Sequence, residues 1–217
     1  NGLLTYGSST DINKFGGRFK YSKLVNVIDN IDNAITSNIT RVRIRRNLKA
    51  LTNQFAQYEL CYGNRFHINP EGKNIKSTGF TIQGESNTLY LTDIPNKNND
   101  GSLDGSGKGT LTIVKGDAEL SENRLIVASA GVVDYVHGEV ILNTINITST
   151  EKPNNIIEIQ AFPQSNDVIG LKDLYLNFAI NDSEINMIKD TITSGEQISG
   201  VGYKVTSSYS NGVLTRG

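Results

Sequence analysis

The side chains that could carry out acid, base or nucleophilic chemistry are few in this sequence. Its histidines are His67 and His137, and Cys61 is its single cysteine. His67 stands between Phe66 and Ile68, which indicates a packed ring rather than a general base, and His137 falls in a predicted turn. The sequence contains no nucleophile elbow, zinc-protease helix motif or Cys-x-x-Cys pair. Residue chemistry therefore predicts no catalytic residue, no cofactor and no enzyme.

A Gly-rich stretch, residues 96–110, has the composition of a phosphate-binding loop but lacks its spacing. A P-loop needs Gly where Ser102 stands and Ser or Thr where Gly109 stands, because the backbone wraps the phosphate and the hydroxyl binds magnesium. No helical pattern follows the stretch. The sequence therefore excludes a P-loop here.

The same loop partly follows the oxygen spacing of a calcium loop. Asn96, Asn98 and Asp100 alternate, Gly101 stands at the sharp turn, and Asp104 occupies the ninth place. The Glu expected at the twelfth place is missing, and no helices flank the loop. We therefore expect an exposed, mobile surface loop without a metal, with a calcium site as the alternative.

Four arginines, Arg41, Arg43, Arg45 and Arg46, form the strongest local charge cluster. The first three alternate with apolar residues, which predicts a strand with one basic edge and one apolar edge. Such an edge either faces solvent or meets carboxylates of a neighbouring subunit. We take Arg41, Arg43 and Arg45 as candidate interface residues.

An amphipathic helix precedes this basic strand and is the only clear helical pattern in the chain. Its apolar residues recur at steps of three and four, which places them on one stripe. The stripe consists of Tyr21, Leu24, Ile28, Ile31 and Ile35. With no second helix to cover it, the stripe either packs on the sheet of its own chain or meets a helix of another subunit. We include all five residues in the candidate interface.

The remainder of the chain alternates short β-forming runs with turn clusters. The clearest hairpin runs from Arg124 to Thr148 and turns at His137-Gly138, and we expect the run 156–162 to extend it into a meander. Alternation over residues 174–180 predicts a further strand, whereas residues 1–17 predict an irregular lead-in with a hinge at Gly16-Gly17. The predicted fold class is α+β, mainly antiparallel β with one amphipathic N-terminal helix.

The predicted organisation has three segments. Residues 1–48 form a lead-in, the helix and the basic strand, residues 49–163 a β-rich domain, and residues 164–217 a C-terminal β segment packed on the same body. At 217 residues the chain is long enough to bury a substantial core without a partner. It opens on Asn1 with Met187 as its only methionine, which indicates a fragment or a processed chain.

The overall charge gives no long-range field that would attract a polyanion. Lys and Arg total 21 against 22 for Asp and Glu, a net charge of -1, so we expect neither a nucleic-acid partner nor a membrane partner. A single cysteine excludes an intrachain disulfide. No apolar run reaches the ~18 residues of a membrane helix, and no leader pattern is present, so we expect a soluble chain.

Four strings taken together carry a family resemblance. They are YSKLVNVIDNIDNAITSNITRVRIRR, FAQYELCYGNRF, VDYVHGEVILNTINI and QAFPQSNDVIGLKDLYL. In order and spacing they resemble the C-terminal part of the baseplate wedge subunit of contractile-tailed phages of the T-even type, within the baseplate J-like family. The resemblance extends from about Phe15 onward, and none of the strings is a catalytic signature.

The resemblance implies a late structural protein of the virion tail baseplate, assembled in the host cytoplasm. It implies two copies per wedge, an inner ring closed by self-association around the tail hub, and a helical bundle shared with a longer wedge protein. The tail hub and the sheath initiator are further candidate partners. The alternative function is a carbohydrate- or receptor-binding β-domain of a tail fibre or adhesin. The absence of Trp weighs against that alternative, since such domains usually expose aromatic rings to sugars.

Overall fold

In the computed structural model, residues 2–9, 11–116 and 125–188 are described in full, and residues 209–210 and 213–214 as backbone. The chain divides into two compact units, Asn1–Asn181 and Asp182–Gly217. The helices are α1 (Gly2–Gly7) and α2 (Tyr21–Asp29), with short 3-10 turns at Pro153–Asn155 and Ile180–Asp182. The strands are β1 (Arg18–Phe19), β2 (Ile44–Lys49), β3 (Phe55–Cys61), β4 (Lys76–Ser77), β5 (Phe80–Ile82), β6 (Glu85–Pro95), β7 (Lys108–Lys115), β8 (Leu125–Asp134), β9 (Glu139–Thr150), β10 (Ile156–Ala161), β11 (Val168–Ile169), β12 (Tyr209–Ser210) and β13 (Val213–Leu214).

The predicted α+β class is wrong, because the described chain is mostly β, with a β-barrel and two short helices. The predicted helix ends at Asp29, well before Ile35. There the side chain of Asn30 turns back to the carbonyl of Asn26, and the Asp32 carboxylate accepts the backbone N–H of Ala34 in an Asx turn. Short polar side chains of this kind compete with the helical hydrogen bonds and end the helix.

Strand β9 closes the barrel. Its first residues pair with β8 and with β3, and its last residues, Ile147 to Thr150, pair with β5. Because β5, β6, β7 and β8 pair in that order, the pairings return to β9 and form a closed ring. All of these pairings are antiparallel. Closure leaves the hydrogen-bonding edges of the ring strands paired.

The predicted hairpin 124–148 is present as β8 and β9, but its turn has four residues rather than two. Asp134 pairs with Glu139, and the turn spans Tyr135 to Gly138. The carboxylate of Asp134 accepts the backbone N–H groups of Val136 and His137, which holds the turn. The Nδ1 atom of His137 also lies 3.0 Å from the second carboxylate oxygen of Asp134.

The barrel interior is filled by aliphatic side chains from its alternating strand positions. Leu89, Leu91, Leu111, Ile113 and Leu142 are all fully buried there. We call this cluster the barrel core. The three-stranded sheet β2-β10-β4 packs on it through Leu48, Ile157 and Ile159. Strand β10 therefore pairs with β2 and β4 and not with β9, so the predicted meander is wrong.

One buried carboxylate forms hydrogen bonds with two other parts of the same unit. Asp93 on β6 is fully buried, and its two oxygens accept hydrogen bonds from the backbone N–H of Ile75 and from the hydroxyl of Tyr135, both at 2.6 Å. Burial raises the pKa of Asp93, and the same hydrogen bonds oppose that rise. Burial, followed by the charge and hydrogen bond of Asp93, raises the pKa of Tyr135. The pair joins β6 to the β8–β9 turn and to the segment before β4.

Residues 2–7 of the predicted irregular lead-in form helix α1, whereas residues 11–17 consist mainly of turns and bends. Helix α1 packs against α2, and the predicted hinge at Gly16-Gly17 is a packed turn. A Cβ on Gly17 would lie 2.1 Å from the carbonyl oxygen of Ile12, and Gly170 N–H bonds to the Gly17 carbonyl at 2.7 Å. The backbone at Gly17 is thus contacted by Ile12 on one side and by Gly170 on the other.

The predicted strand over residues 174–180 is also wrong. The segment makes one isolated bridge, between Tyr175 and Phe15, yet its side chains alternate between half-buried and exposed as the sequence indicates. Leu176 and Phe178 turn inward toward the helices. The alternation of apolar and polar residues in the sequence correctly indicates which side chains are covered. They are covered by an apolar cluster and not by a neighbouring strand.

In the second unit, strands β12 and β13 pair antiparallel. Within the described residues, no helix is long and apolar enough to cross a membrane. The three-segment organisation, 1–48, 49–163 and 164–217, stays a prediction.

Candidate interaction surface

Helix α2 is positioned by a residue far along the chain. Lys20 at its N-cap offers no side-chain acceptor, and Asp167 takes over this role by accepting the backbone N–H of Tyr21 at 2.9 Å. A carboxylate at a helix N-terminus satisfies a free donor and complements the helix dipole. The start of α2 therefore depends on the segment that carries β11.

The inner face of α2 is used by the chain itself. Leu24 is 4% exposed and belongs to a small cluster that we call the N-terminal core. Its buried members are Tyr6, Ile12, Phe19, Leu24 and Val168. Tyr21 and Ile28 pack against this cluster while remaining partly exposed.

The N-terminal core is largely aromatic and is completed from the distant segment. Phe19 and Phe178 stack with ring centroids 6.2 Å apart, and Tyr6 meets both rings edge to face. The Tyr6 hydroxyl donates to the Lys20 carbonyl at 2.8 Å, and burial raises the pKa of that hydroxyl. Aromatic pairs of this kind stabilise the cluster beyond the area that they bury.

The remainder of the predicted stripe lies beyond the helix. Ile31 is 55% exposed, Ile35 is half-buried, and Ile39 further along is 93% exposed. On α1, Leu4 is 55% exposed. The structure thus separates the five stripe residues into three that contact the N-terminal core and two, Ile31 and Ile35, that lie in the polar segment after α2. Their role between subunits stays a prediction.

The three candidate arginines have different surroundings. Arg41 and Arg43 precede β2, and the guanidinium of Arg43 lies over the Phe162 ring at 4.9 Å. Arg45 lies in β2 and forms an ion pair of 3.3 Å with Glu158 on β10, which Lys152 also contacts at 3.5 Å. Arg41 is exposed. Of the three, Arg41 offers the most accessible charge to a partner, and the subunit contact stays a prediction.

Two of the sequence's candidate chemical groups occupy surface positions. His67 is exposed, so the predicted packed ring is wrong. Cys61 lies near the carboxylates of Glu59 and Glu139, and the three ligand atoms are within 4.8 Å of one another. Burial and the neighbouring carboxylates raise the pKa of the Cys61 thiol, which favours the protonated form over the thiolate that binds metals. We assign no metal to this group.

The carboxylates of the Gly-rich loop are engaged within the loop. Asp100 accepts from the backbone N–H and hydroxyl of Ser102, and Asp104 does the same with Ser106. These hydrogen bonds lower the pKa of both carboxyls. Strand β7 begins at Lys108, where a P-loop would continue into a helix.

Comparison with protein families adds a finding that geometry does not give. Residues 1–47 match the model of the family described as baseplate structural protein gp6, C-terminal domain III. The matched residues contain α1, α2 and most of β2. No curated protein matches the chain. The family match supports a phage baseplate wedge subunit, C-terminal portion, and implies a location in the virion tail baseplate.

The matched family consists of structural proteins, which agrees with a non-enzymatic role and implies contacts with other baseplate proteins. The residues that sequence reasoning missed are Asp167, Leu176 and Phe178, which complete the matched segment from the far end of the unit. For Leu176 and Phe178, the sequence signal is the alternation of apolar and polar residues over 174–180. This alternation predicts a strand, because it does not distinguish a strand from an extended segment packed on a helix pair.

Proposed function

We propose that this chain, whose residues 1–47 match a domain of a phage baseplate structural protein, forms the inner ring of a baseplate wedge through self-association and contacts with other wedge proteins. The match is the observation that carries the proposal. The ring would place the matched segment where subunits meet.

The surface that we propose for self-association is the aliphatic group that the N-terminal core leaves uncovered. It consists of Leu4, Ile31, Ile35 and Ile39, and it lies on α1 and on the segment that follows α2. A second copy is the proposed occupant because the group continues the amphipathic stripe directly beyond its self-buried part. Covering each aliphatic side chain would contribute ~1.5 to 3 kcal/mol.

We expect the double variant Ile31→Asp, Ile39→Asp to remain folded and to lose self-association. Ile31 is 55% exposed and Ile39 is 93% exposed, so charges there meet water in the monomer and are buried only in a complex. Sedimentation velocity over a concentration series measures the association, and the thermal melt measures the fold. The matched control is Leu51→Asp, which replaces an equally exposed aliphatic residue (53%) elsewhere.

A Leu24→Ala variant separates the two uses of α2. Leu24 is buried in the N-terminal core, so its truncation should cost about 2 to 5 kcal/mol of stability. If the Ile31, Ile39 variant instead melts like Leu24→Ala, those residues serve the fold of the monomer. Normal association by the double variant would equally contradict the proposed surface.

We expect Arg41→Glu to slow association about tenfold at low salt, since electrostatic steering acts mainly on the association rate. The difference from the wild type should disappear toward ~1 M salt, where the Debye length falls to about 3 Å. Stopped-flow light scattering across a salt series measures the rates, and Lys97→Glu in the exposed loop is the control. Arg45→Glu is unsuitable, because it also breaks the ion pair with Glu158. Equal rates for the wild type and Arg41→Glu at every salt concentration would show that Arg41 only faces water.

A further inference from the structure

A small basic cavity lies beside the N-terminal core. Its volume is about 250 Å³, and the residues that line it are Asp11, Lys14, Gly16, Arg18, Lys20 and Lys23. Lys23 and Asp11 neutralise each other through an ion pair of 2.8 Å. Lys14, Arg18 and Lys20 are exposed and have no ion pair in the described part of the chain. The cavity therefore carries three uncompensated positive charges.

One further carboxylate lies nearby and reduces this surplus. The Asp167 carboxylate accepts the Tyr21 N–H at the start of α2, next to Lys20, and keeps its negative charge. Lys23 lowers the pKa of Asp11 through its hydrogen bond and its charge, with smaller contributions from Lys14 and Lys20. Those two lysines therefore lie close to the ion pair. An incoming anionic group would still meet more cations than carboxylates.

An exposed aromatic pair stands at the same turn. Phe15, between the lining residues Lys14 and Gly16, is 65% exposed and packs edge to face on Tyr175 at 5.5 Å. Tyr175 is itself 53% exposed. A backbone bridge joins the two residues and holds their backbones side by side. Aromatic residues and arginine are typical of the residues that dominate binding energy in protein interfaces.

We propose that this cavity docks an acidic segment of another baseplate protein, with two or more carboxylates on the cations and an apolar side chain on the Phe15–Tyr175 pair. The cavity is smaller than the ~300 to 1,000 Å³ of typical small-molecule pockets, so it fits individual side chains better than a cofactor. A net charge of -1 gives the chain no long-range attraction for nucleic acid. Charge complementarity therefore favours a protein segment.

The test uses a fluorescein-labelled peptide of sequence Asp-Glu-Phe-Glu-Asp and the full chain, measured by fluorescence anisotropy at low salt. We expect Arg18→Glu with Lys20→Glu to weaken binding about tenfold or more, because reversal of the charges turns attraction into repulsion. Lys76→Glu with Lys97→Glu carries the same charge change on exposed lysines elsewhere, and should change binding less than about twofold. Lys14→Glu is a second cavity variant for the case in which the first pair unfolds the protein.

Phe15→Ala tests the aromatic part of the site. It should weaken binding of the Phe-containing peptide and leave unchanged the binding of a peptide with Ser in the central place. Equal losses in the cavity variant and the control variant would overturn the proposal, as would equal binding of the neutral peptide Asn-Gln-Phe-Asn-Gln. Tighter binding of a short DNA duplex than of the acidic peptide would assign the cavity to phosphate instead.

The proposed docking site depends on the proposed function in one respect only, namely that the acidic segment belongs to another baseplate protein. A wild-type chain that self-associates normally but does not bind the acidic peptide would overturn the docking site alone. Intact peptide binding in a protein that never associates would instead contradict the proposed ring.

Discussion

We expect the Asp93→Ala variant to lose about 3 kcal/mol of unfolding free energy. The substitution leaves the Tyr135 hydroxyl and the Ile75 N–H without their acceptor inside the barrel, and each unsatisfied buried donor costs about 1 to 3 kcal/mol. Urea denaturation followed by tyrosine fluorescence measures the loss. Asp104→Ala is the matched control, since Asp104 accepts two similar hydrogen bonds in an exposed loop, and its effect should stay within about 0.5 kcal/mol.

The effect of Asp93→Ala on stability should also depend on pH. Burial raises the pKa of Asp93 above its ordinary 3.8, so the folded protein binds this proton more tightly than the unfolded chain does. The raised pKa of Asp93 therefore contributes folding free energy at low pH. This contribution is fully present below pH 3.8 and is lost as the pH rises through the pKa of Asp93 in the folded protein. The stability difference between wild type and Asp93→Ala should grow on acidification from pH 7. A difference that shrinks instead would show that the hydrogen bonds outweigh burial.

We expect Gly131→Val to open the barrel where β8 meets β9, at a cost of about 3 kcal/mol, the upper end of the usual range for overpacking. Gly131 pairs with Leu111 on one side and Leu142 on the other, and a Cβ there would lie 1.9 Å from the Ile141 carbonyl oxygen. A backbone atom cannot rotate away as a side chain can, so the strand must shift.

Hydrogen exchange of the β8 and β9 amides measures this opening directly. Ala128→Val is the control, because Ala128 lies on the same strand and is exposed, and valine suits a strand. Unchanged protection of these amides from exchange in the Gly131→Val variant would mean that the contact between β8 and β9 has room for a side chain.

The sequence predicts short antiparallel strands but not their closure into a barrel. The turn before Glu139 is a local signal, and it corresponds to an observed element. The pairing of β9 with β8 and β5 joins stretches that no local pattern relates. The predicted length of helix α2 exceeds the observed one for a local reason. Ile31 and Ile35 continue the helical period, whereas the hydrogen bonds of Asn30 and Asp32 interrupt it.

The candidate surface was predictable only in part. The apolar period located Leu24 on the inner face, but nothing near it in sequence indicates that Phe178 and Val168 complete the cluster. The cluster of arginines is evident in the sequence. The carboxylate that pairs with Arg45, that of Glu158, lies on a strand more than a hundred residues later. Partners across such distances are set by the fold and not by spacing.

The cap that Asp167 places on α2 has a consequence for how the chain is made. The N-terminal core needs Val168 and Phe178, so the first helices leave the ribosome long before their packing partners exist. Short helices are marginal in isolation, and a domain generally folds as a unit during synthesis. The matched segment should therefore stay protease-sensitive on nascent chains that stop before residue 167. It should become protected only once residue 178 has cleared the exit tunnel.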